Sequence, residues 1–219
     1  MKAWLTALAA GGLSLTAGVT ANVANAATIS IGWREDGGAL TTVAGSGVSS
    51  NFEVTAPIST PDFTITSAGG QTQNTLPSPG LLFSDNTDVM VASSAVSHTL
   101  DVFITAQGLT TPLGNPLNFI SGLTENILLG GFTATLSTFV SATNALFGGT
   151  ALSSATFNSA PASIELNALA NTGAGPYSVT AQYHIVSVAG EAGGANSTIN
   201  IVGAAPTVPG PIAGAGLPG

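Results

Sequence analysis

The stretch "YSVTAQYHIVSV", residues 177–188, decides the fold class because apolar and polar residues alternate along it. One side of the pattern holds the larger and apolar residues Tyr177, Val179, Ala181, Tyr183 and Ile185. The other side holds Ser178, Thr180, Gln182 and His184. A period of two residues is that of a β-strand with one buried face. We therefore predict a strand here, with its odd-numbered side chains in the core.

The same alternation recurs in short runs from Ala27 onward. The runs are "TISIGW" (28–33), "NFEVTA" (51–56), "DFTITS" (62–67), "HTLDVFITAQG" (98–108), "FTATLSTFV" (132–140) and "STINIV" (197–202). Many short strands with frequent turn residues are typical of an antiparallel β-sandwich or a jelly-roll-like domain. We place this all-β domain at residues 27–203.

Glycine, proline and asparagine predict where the strands are interrupted. Residues 67–80 and 171–176 are rich in these residue types and are predicted loops. The glycine-rich segment 189–195 allows a tight reversal, so we predict that the last two strands form an antiparallel hairpin.

One segment departs from the period of two. In "LGNPLNFISGLTENILLGG", residues 113–131, Leu117, Ile120, Leu123 and Ile127 recur at helical spacing. Asn115 can cap a helix, and Pro116 suits its first turn. The pattern predicts one short helix at about 116–128.

The N-terminal residues have the three parts of a secretory signal peptide. Lys2 precedes an apolar stretch, which ends in small residues at Ala24 and Ala26. We expect export through the Sec translocon and cleavage by signal peptidase after Ala26, giving a signal peptide of residues 1–26. The chain has no cysteine, so disulfide bonds do not stabilise the exported domain.

The charge balance excludes one large class of partners. Without Lys2 the chain has one arginine, Arg34, and ten acidic residues, so its side-chain charge is 1 − 10 = −9. Binding to nucleic acid requires a cationic surface. We therefore expect no nucleic-acid partner.

No sequence motif indicates catalysis. His98 and His184 lie far apart in strand patterns without a metal-binding spacing, and we interpret both as solvated or hydrogen-bonded strand residues. There is no nucleophile motif, no phosphate-binding loop and no cysteine nucleophile. We predict a protein that is not an enzyme and has no cofactor.

Two acidic segments are weak candidates for cation binding. In "WREDGGA", residues 33–39, the carboxylates of Glu35 and Asp36 could bind a cation or a sugar hydroxyl, but Asp-Gly favours a hairpin turn in which Arg34 neutralises a neighbour. In "SDNTD", residues 84–88, a calcium site would use Asp85, Asn86 and Asp88, although such residues also form turns without a metal.

Aromatic residues offer a separate route to a ligand. Trp33, Tyr177 and Tyr183 are candidates for stacking on sugar rings. This interpretation predicts a carbohydrate-binding or adhesin module.

The C-terminal segment "TVPGPIAGAGLPG", residues 207–219, resembles the start of the PEP-CTERM sorting signal of exported Gram-negative proteins. That signal consists of a V-P-x-P motif, an apolar membrane span and a cluster of arginines. The first part matches at Val208, Pro209 and Pro211, with Gly210 in place of the usual glutamate, and the span and arginines are not present in this chain. A plain flexible tail is the alternative for residues 204–219.

The body of the chain also resembles uncharacterised β-rich proteins that carry this signal. The similar stretches begin at "TISIGWREDGGALTTV", "SSAVSHTLDVFITAQGLTTP" and "PYSVTAQYHIVSVAG". The resemblance implies processing by an exosortase-type enzyme and a location at the cell surface or in extracellular polysaccharide.

These observations lead to three functional hypotheses. The first is a non-enzymatic surface or biofilm-matrix protein, with membrane contact only through the C-terminal span of its sorting signal. The second is a secreted carbohydrate-binding or adhesin module. The third is a self-assembling fibre subunit, since low-charge strands with unprotected edges can pair with one another.

Overall fold

The computed structural model describes residues 27–44, 51–54, 56–73 and 80–204. The described residues form thirteen β-strands and no helix, so none of them lies in a helix that could cross a membrane. The strands are β1 Thr28–Glu35, β2 Thr41–Ala44, β3 Asn51–Val54, β4 Ile58–Ser59, β5 Phe63–Gln73, β6 Gly80–Val91, β7 Thr99–Leu109, β8 Leu117–Leu129, β9 Thr133–Ser141, β10 Thr150–Phe157, β11 Ala162–Ala170, β12 Tyr177–Val186 and β13 Gly193–Ala204.

The strands form two antiparallel sheets. Sheet A has the order β10-β9-β12-β7-β1-β2, and sheet B has the order β11-β8-β13-β6-β5-β3, with β4 paired to β5. The two inner faces enclose one hydrophobic core. The predicted all-β antiparallel sandwich is confirmed.

The core contains the residues that the alternation placed there. In β12 the side chains of Tyr177, Val179, Ala181, Tyr183 and Ile185 are almost completely buried. Each large side chain transferred from water into such a core contributes on the order of 1.5–3 kcal/mol. The alternation therefore reflects the principal stabilising force of the domain.

The predicted helix at 116–128 is wrong, because these residues form strand β8 between β11 and β13. The inward side chains follow a period of two, through Leu117, Phe119, Ser121, Leu123 and Glu125. Two of them are polar, which hid the alternation in the sequence. Ser121 is paired with the hydroxyl of Thr138 in the opposite sheet at 2.8 Å. Because this buried hydroxyl has a partner, the strand tolerates it.

The predicted hairpin between the last two strands is also wrong. Strand β12 lies in sheet A between β7 and β9, whereas β13 lies in sheet B between β6 and β8. The segment between them crosses from one sheet to the other. Glycines permit this crossing as well as a tight hairpin, and Gly190 has a φ of +85°.

The predicted loop at 67–80 is partly wrong, since β5 continues to Gln73 and β6 begins at Gly80. Two glycines in this segment serve close packing inside the sheet. A Cβ atom on Gly70 would lie 2.9 Å from Cγ2 of Ile104 in the opposite sheet, and one on Gly69 would lie 2.9 Å from Cγ of Glu53. Glycine here permits close approach of neighbouring chain segments.

Two carboxyl groups lie inside the sandwich. Asp85 accepts a hydrogen bond from the hydroxyl of Tyr183 across the core, and burial raises the pKa of Asp85 well above its usual value. Glu125 accepts a hydrogen bond of 2.6 Å from Ser197, and burial raises the pKa of Glu125 to about 7. Each carboxyl group has one oxygen without a hydrogen-bond partner among the described residues. Such groups favour the protonated form.

Candidate functional site

The transport signals predicted from the sequence lie outside the described residues. This applies to the cleavage residues Ala24 and Ala26 and to the sorting residues Val208, Pro209 and Pro211. The candidate sites among the described residues lie on the sandwich itself.

The aromatic candidates occupy different environments. Tyr177 and Tyr183 are completely buried, so the prediction that they stack on sugar rings is wrong. Their phenol rings complete the core on the inner face of β12. Trp33 is half-buried against the core and lines a shallow cleft with Ser59, Thr60 and Pro61. Only Trp33 of these three retains an exposed part.

The predicted calcium ligands do not converge. Residues 84–88 lie within strand β6, so successive side chains point to opposite faces. Asp85 points into the core, whereas Asn86 is exposed and Asp88 is half-buried on the outer face. The calcium prediction is therefore wrong in its geometry, because a strand separates ligands that a loop would have brought together.

On the outer face of sheet A, polar side chains bind one another. Asp101 accepts hydrogen bonds from Nε of Arg34 at 2.8 Å and from Nε2 of Gln182 at 3.1 Å. Its Oδ1 also lies 2.8 Å from Nδ1 of His184. We call Arg34, Asp101, Gln182 and His184 the Asp101 network. The expected partner of Arg34, a sequence neighbour, is instead this aspartate on the adjacent strand.

The Asp101 network is electrostatically compensated. Burial acts to raise the pKa of Asp101, but the hydrogen bonds from Arg34, His184 and Gln182 hold that pKa below its usual value. The guanidinium of Arg34 also lies 5.5 Å from the ring centre of Phe103. Farther along the face the hydroxyl pairs Thr135–Thr156 and Ser137–Ser154 are 2.9 and 2.8 Å apart. This face is held together by its own side chains.

The outer face of sheet B carries a different set of polar groups. Strand pairing aligns Asn51, Gln71, Ser84 and Asn200 in one row across four strands. The next row contains Glu53, Gly69, Asn86 and Thr198. We call these eight residues, together with Asn196, the amide face. Alternation places all of them on one side of the sheet.

A groove crosses the amide face. It is lined by Asn51, Glu53, Gly69, Gly70, Gln71, Ser84, Asp85, Asn86 and Thr198. The side chain of Glu53 packs directly over Gly69, where a Cβ atom would lie 2.9 Å from Cγ of Glu53. Among the described residues, no side-chain hydrogen bond engages Gln71, Ser84, Asn86 or Asn200. Their donors and acceptors face solvent and can bind a ligand.

A second polar site lies at the end of the sandwich where β1 stops. The predicted turn in "WREDGGA" is confirmed, with positive φ at Asp36 and Gly37 and a hydrogen bond from the Gly38 N–H to the Glu35 carbonyl. The turn brings Asp36 to the start of β7, where its Oδ1 accepts the Thr99 N–H at 2.7 Å. Residues 33–39 therefore form the predicted turn, and the same turn places the carboxylate of Asp36 beside other polar groups.

His98 and Asp62 complete this site, which we call the end cluster: Glu35, Asp36, Asp62 and His98. Nδ1 of His98 lies 2.8 Å from Oδ2 of Asp36 and 3.5 Å from Oδ2 of Asp62. Oε1 of Glu35 accepts the backbone N–H of Asp62 at 3.1 Å. Sequence reasoning missed Asp62 and His98 as members because no local spacing connects them to residues 35–36.

The groups of the end cluster shift one another's pKa values. Burial, together with the proximity of Asp62 and Asp36, raises the pKa of Glu35. The hydrogen bond between Asp36 and His98 raises the pKa of the imidazole and lowers that of Asp36. Three carboxylates around one imidazole therefore favour a positive charge at their centre.

Comparison with known proteins gives similarity at the level of architecture. No family model matches the sequence, and no curated protein matches it. The chain is similar to the K1 cleaved adhesin domain of Lys-gingipain from Porphyromonas gingivalis, with a TM-score of 0.37 and 9% identity over 72% of this chain and 99% of that one. It is also similar to the CBM22-1 xylan-binding domain of Xyn10C from Paenibacillus barcinonensis, with a TM-score of 0.33 and 12% identity over 68% and 89%.

Proposed function

We propose that this chain is an exported, non-enzymatic protein that binds an uncharged polysaccharide through the amide face. The binding retains the protein, or the polysaccharide, at the cell surface or in the extracellular matrix. The observation that carries the proposal is the groove on sheet B, where the side chains of Gln71, Ser84 and Asn86 have no side-chain hydrogen-bond partner among the described residues.

The chemistry of these side chains suits sugars. Each sugar hydroxyl both donates and accepts a hydrogen bond, and each Asn or Gln amide offers two donors and an acceptor. Gln71, Asn86 and Asn200 present such amides on three neighbouring strands of sheet B. A flat array of alternating donors and acceptors matches an extended chain with repeated hydroxyls.

The negative charge of the protein favours neutral over acidic polysaccharides as ligands. The exported chain carries nine more acidic than basic side chains if residues 1–26 are removed, by the count 10 − 1 = 9. Glu53 lies in the groove itself. Acidic polymers are repelled by such a surface, whereas neutral ones are not. We therefore assign an uncharged glycan to this groove.

Affinity per site is expected to be low. The groove has no aromatic residue in its lining among the described residues, so stacking does not contribute there. Each hydrogen bond contributes a net of roughly 0.5–1.5 kcal/mol. Strong retention of a polymer then requires several copies of the protein held on one surface, so that one polymer binds several grooves at once.

The proposed location rests on the sequence. Residues 1–26 have the pattern of a signal peptide, and residues 207–219 resemble the start of the PEP-CTERM signal. In this proposal, Sec translocon and signal peptidase export the protein from a Gram-negative cytoplasm. An exosortase-type enzyme then releases the protein to the surface or the matrix.

The test compares the amide face with a matched control on the other sheet. We expect the parent to be retarded in affinity electrophoresis through gels containing neutral polysaccharides such as xylan or dextran, and not through alginate. The double variant Asn86→Ala/Asn200→Ala should lose at least tenfold in affinity. The control Ser154→Ala/Thr156→Ala, on the outer face of sheet A, should bind as the parent does. Equal binding by parent and amide-face variant would disprove the assignment of the groove.

Self-assembly is the second candidate, and one feature of sheet B favours it. Strand β11 is the edge of that sheet and, among the described strands, pairs only with β8. Its Ile164 and Leu169 are 43% and 67% exposed. An unpaired apolar edge can add a strand from a second copy. Sedimentation velocity should then show concentration-dependent oligomers that Ile164→Lys abolishes; a monomer at all concentrations would reject this candidate.

A further inference from the structure

We propose that Glu35, Asp62 and His98 form a binding site for a divalent transition-metal ion, with Zn²⁺ as its best-fitting member. The ion would replace the Nδ1 proton of His98 that Asp36 accepts at 2.8 Å, and this proton would be released to solvent. Asp36 would then border the bound ion as a further carboxylate. The site is separate from the amide face and does not depend on the proposed function.

The ligand atoms come from three parts of the chain and already lie close together. Glu35 is the last residue of β1, Asp62 precedes β5, and His98 precedes β7. One ligand atom from each lies within 4.8 Å of the other two. Ligand atoms bound to one tetrahedral Zn²⁺ are about 3.4 Å apart, as follows from bond lengths near 2.1 Å. The 3.5 Å between Nδ1 of His98 and Oδ2 of Asp62 already meets this requirement.

One oxygen of the cluster lacks a partner. Oε2 of Glu35 is inaccessible to solvent and accepts no hydrogen bond from the described residues, whereas Oε1 binds the backbone of Asp62. A buried carboxylate oxygen without a partner is costly. A metal ion bound to Glu35 through this oxygen would satisfy it.

The candidate ligands are held by surrounding groups. Nε2 of His98 lies 3.0 Å from Oγ of Ser94, which orients the imidazole and leaves Nδ1 toward the carboxylates. Oδ1 of Asp36 is fixed by the Thr99 backbone N–H, while its Oδ2 lies 2.8 Å from the same Nδ1. Supporting hydrogen bonds of this kind orient the ligands in metal sites.

The donor set selects the kind of metal. One imidazole nitrogen with carboxylate oxygens suits Zn²⁺ and neighbouring transition ions. Ca²⁺ is bound by oxygen ligands, whereas one of the converging groups here is an imidazole nitrogen. Neutralisation by an arginine is not available either, because Nε of Arg34 is bound to Asp101. Among the described residues, no arginine or lysine forms an ion pair with these three carboxylates.

Isothermal titration calorimetry with ZnCl₂ on the untagged protein tests the site, since a histidine tag would bind the metal itself. We expect one Zn²⁺ per chain. His98→Gln and Glu35→Gln should each weaken binding at least tenfold. The matched control is His184→Gln, which removes the other histidine of the chain, and it should bind Zn²⁺ as the parent does. Thermal melts of each variant without metal verify that it is folded.

A crystal of the protein with Zn²⁺, measured at the zinc absorption edge, gives a readout independent of variant stability. Anomalous density within bonding distance of His98 Nδ1, Glu35 and Asp62 is expected. No binding, equal binding by His98→Gln, equal losses in His98→Gln and His184→Gln, or density elsewhere would overturn the proposal. Binding of Ca²⁺ in preference to Zn²⁺ would also overturn it. None of these variants lies on the amide face, so failure here leaves the glycan proposal to its own test.

Discussion

The outer faces of the two sheets are built by the same strand alternation and yet differ in what their polar groups do. On sheet A, Asp101 binds three neighbouring side chains, and hydroxyl pairs such as Ser137–Ser154 bind each other. On sheet B the amide of Asn126 donates to Asn196 and Thr198 at 3.0 Å, but Gln71, Asn86 and Asn200 have no side-chain partner among the described residues. Polar groups that satisfy one another contribute to stability, whereas groups left open can contribute to binding. The two faces therefore divide these roles.

The largest expected difference between the two sheets is in how the free energy of unfolding depends on pH. Glu125, inside sheet B, has a pKa raised by burial from 4.5 to about 7. Because the folded state holds this proton more tightly than the unfolded state, the stabilisation is complete below pH 4.5 and is lost as pH rises through about 7. The full change corresponds to about 3 kcal/mol. Urea unfolding from pH 4 to 8 should show this loss as the difference between the parent and Glu125→Gln.

Asp85 also titrates in the core of sheet B, so the difference between parent and Glu125→Gln, and not the parent curve alone, carries this prediction. Parallel curves for parent and variant would show that Glu125 is ionised to the same degree in both the folded and unfolded states. The opposite pH responses expected of the two sheets would then be lost on the sheet B side.

Sheet A should respond to pH with the opposite sign. The pKa of Asp101 is held below its usual 3.8 by its hydrogen-bonded partners, so its stabilisation is present above that pH and is lost as pH falls through the folded-state pKa. Asp101→Ala leaves Arg34, Gln182 and His184 without their acceptor. We expect a loss of about 2 kcal/mol at pH 7, in line with hydrogen bonds to a charged group.

Chemical denaturation of Asp101→Ala, combined with polysaccharide binding, tests the division directly. The expected outcome is a large fall in the unfolding midpoint with unchanged affinity. A fall in affinity by the folded variant would place the ligand on sheet A instead.

The amide face should show the reverse pattern. Asn86→Ala removes an exposed amide and Asn200→Ala a half-buried one, and neither amide has a side-chain partner among the described residues. Each change should therefore alter the free energy of unfolding by less than about 0.5 kcal/mol. A tenfold loss of affinity in the double variant corresponds to about 1.4 kcal/mol of binding free energy. Thermal and urea unfolding check the first value, and affinity electrophoresis the second. A destabilisation as large as that of Asp101→Ala would show that the amide face is structural too.

The sequence predicted the class of the fold because most strands carry an unbroken period of two. It failed at β8, where buried Ser121 and Glu125 interrupt the apolar series while chance spacing of Leu117 and Ile120 imitates a helix. It also failed at the connection from β12 to β13, since a glycine-rich segment serves a hairpin and a crossing between sheets equally well. Local patterns describe single strands, but not which strands become neighbours.

The same limit applies to the candidate sites. Alternation in β13 indicates that Asn196, Thr198 and Asn200 share a face, but their alignment with Asn86 and Gln71 depends on the order of strands in sheet B. The end cluster needs β1, the residue before β5 and the residue before β7 at one end of the sandwich. Tyr183 was predicted to stack on a sugar, although it shares a strand face with Val179 and Ile185, and that face is buried in the core.

The smallest expected effect is at Gly122, which lies on the outer face of β8 opposite Asn200 and Glu165. A Cβ atom there would have only the Cβ of Asn200 within 4 Å, at 3.8 Å, so Gly122→Ala should fit without strain. Alanine restricts the unfolded chain more than glycine does, which predicts a stabilisation of about 0.5 kcal/mol. Because Gly122 is not among the groove residues, polysaccharide affinity should stay within twofold of the parent. A single methyl group at an unstrained site interferes only with a ligand that lies directly on it. A tenfold loss of affinity would therefore mean that the polymer continues past Asn200 and contacts the backbone of β8.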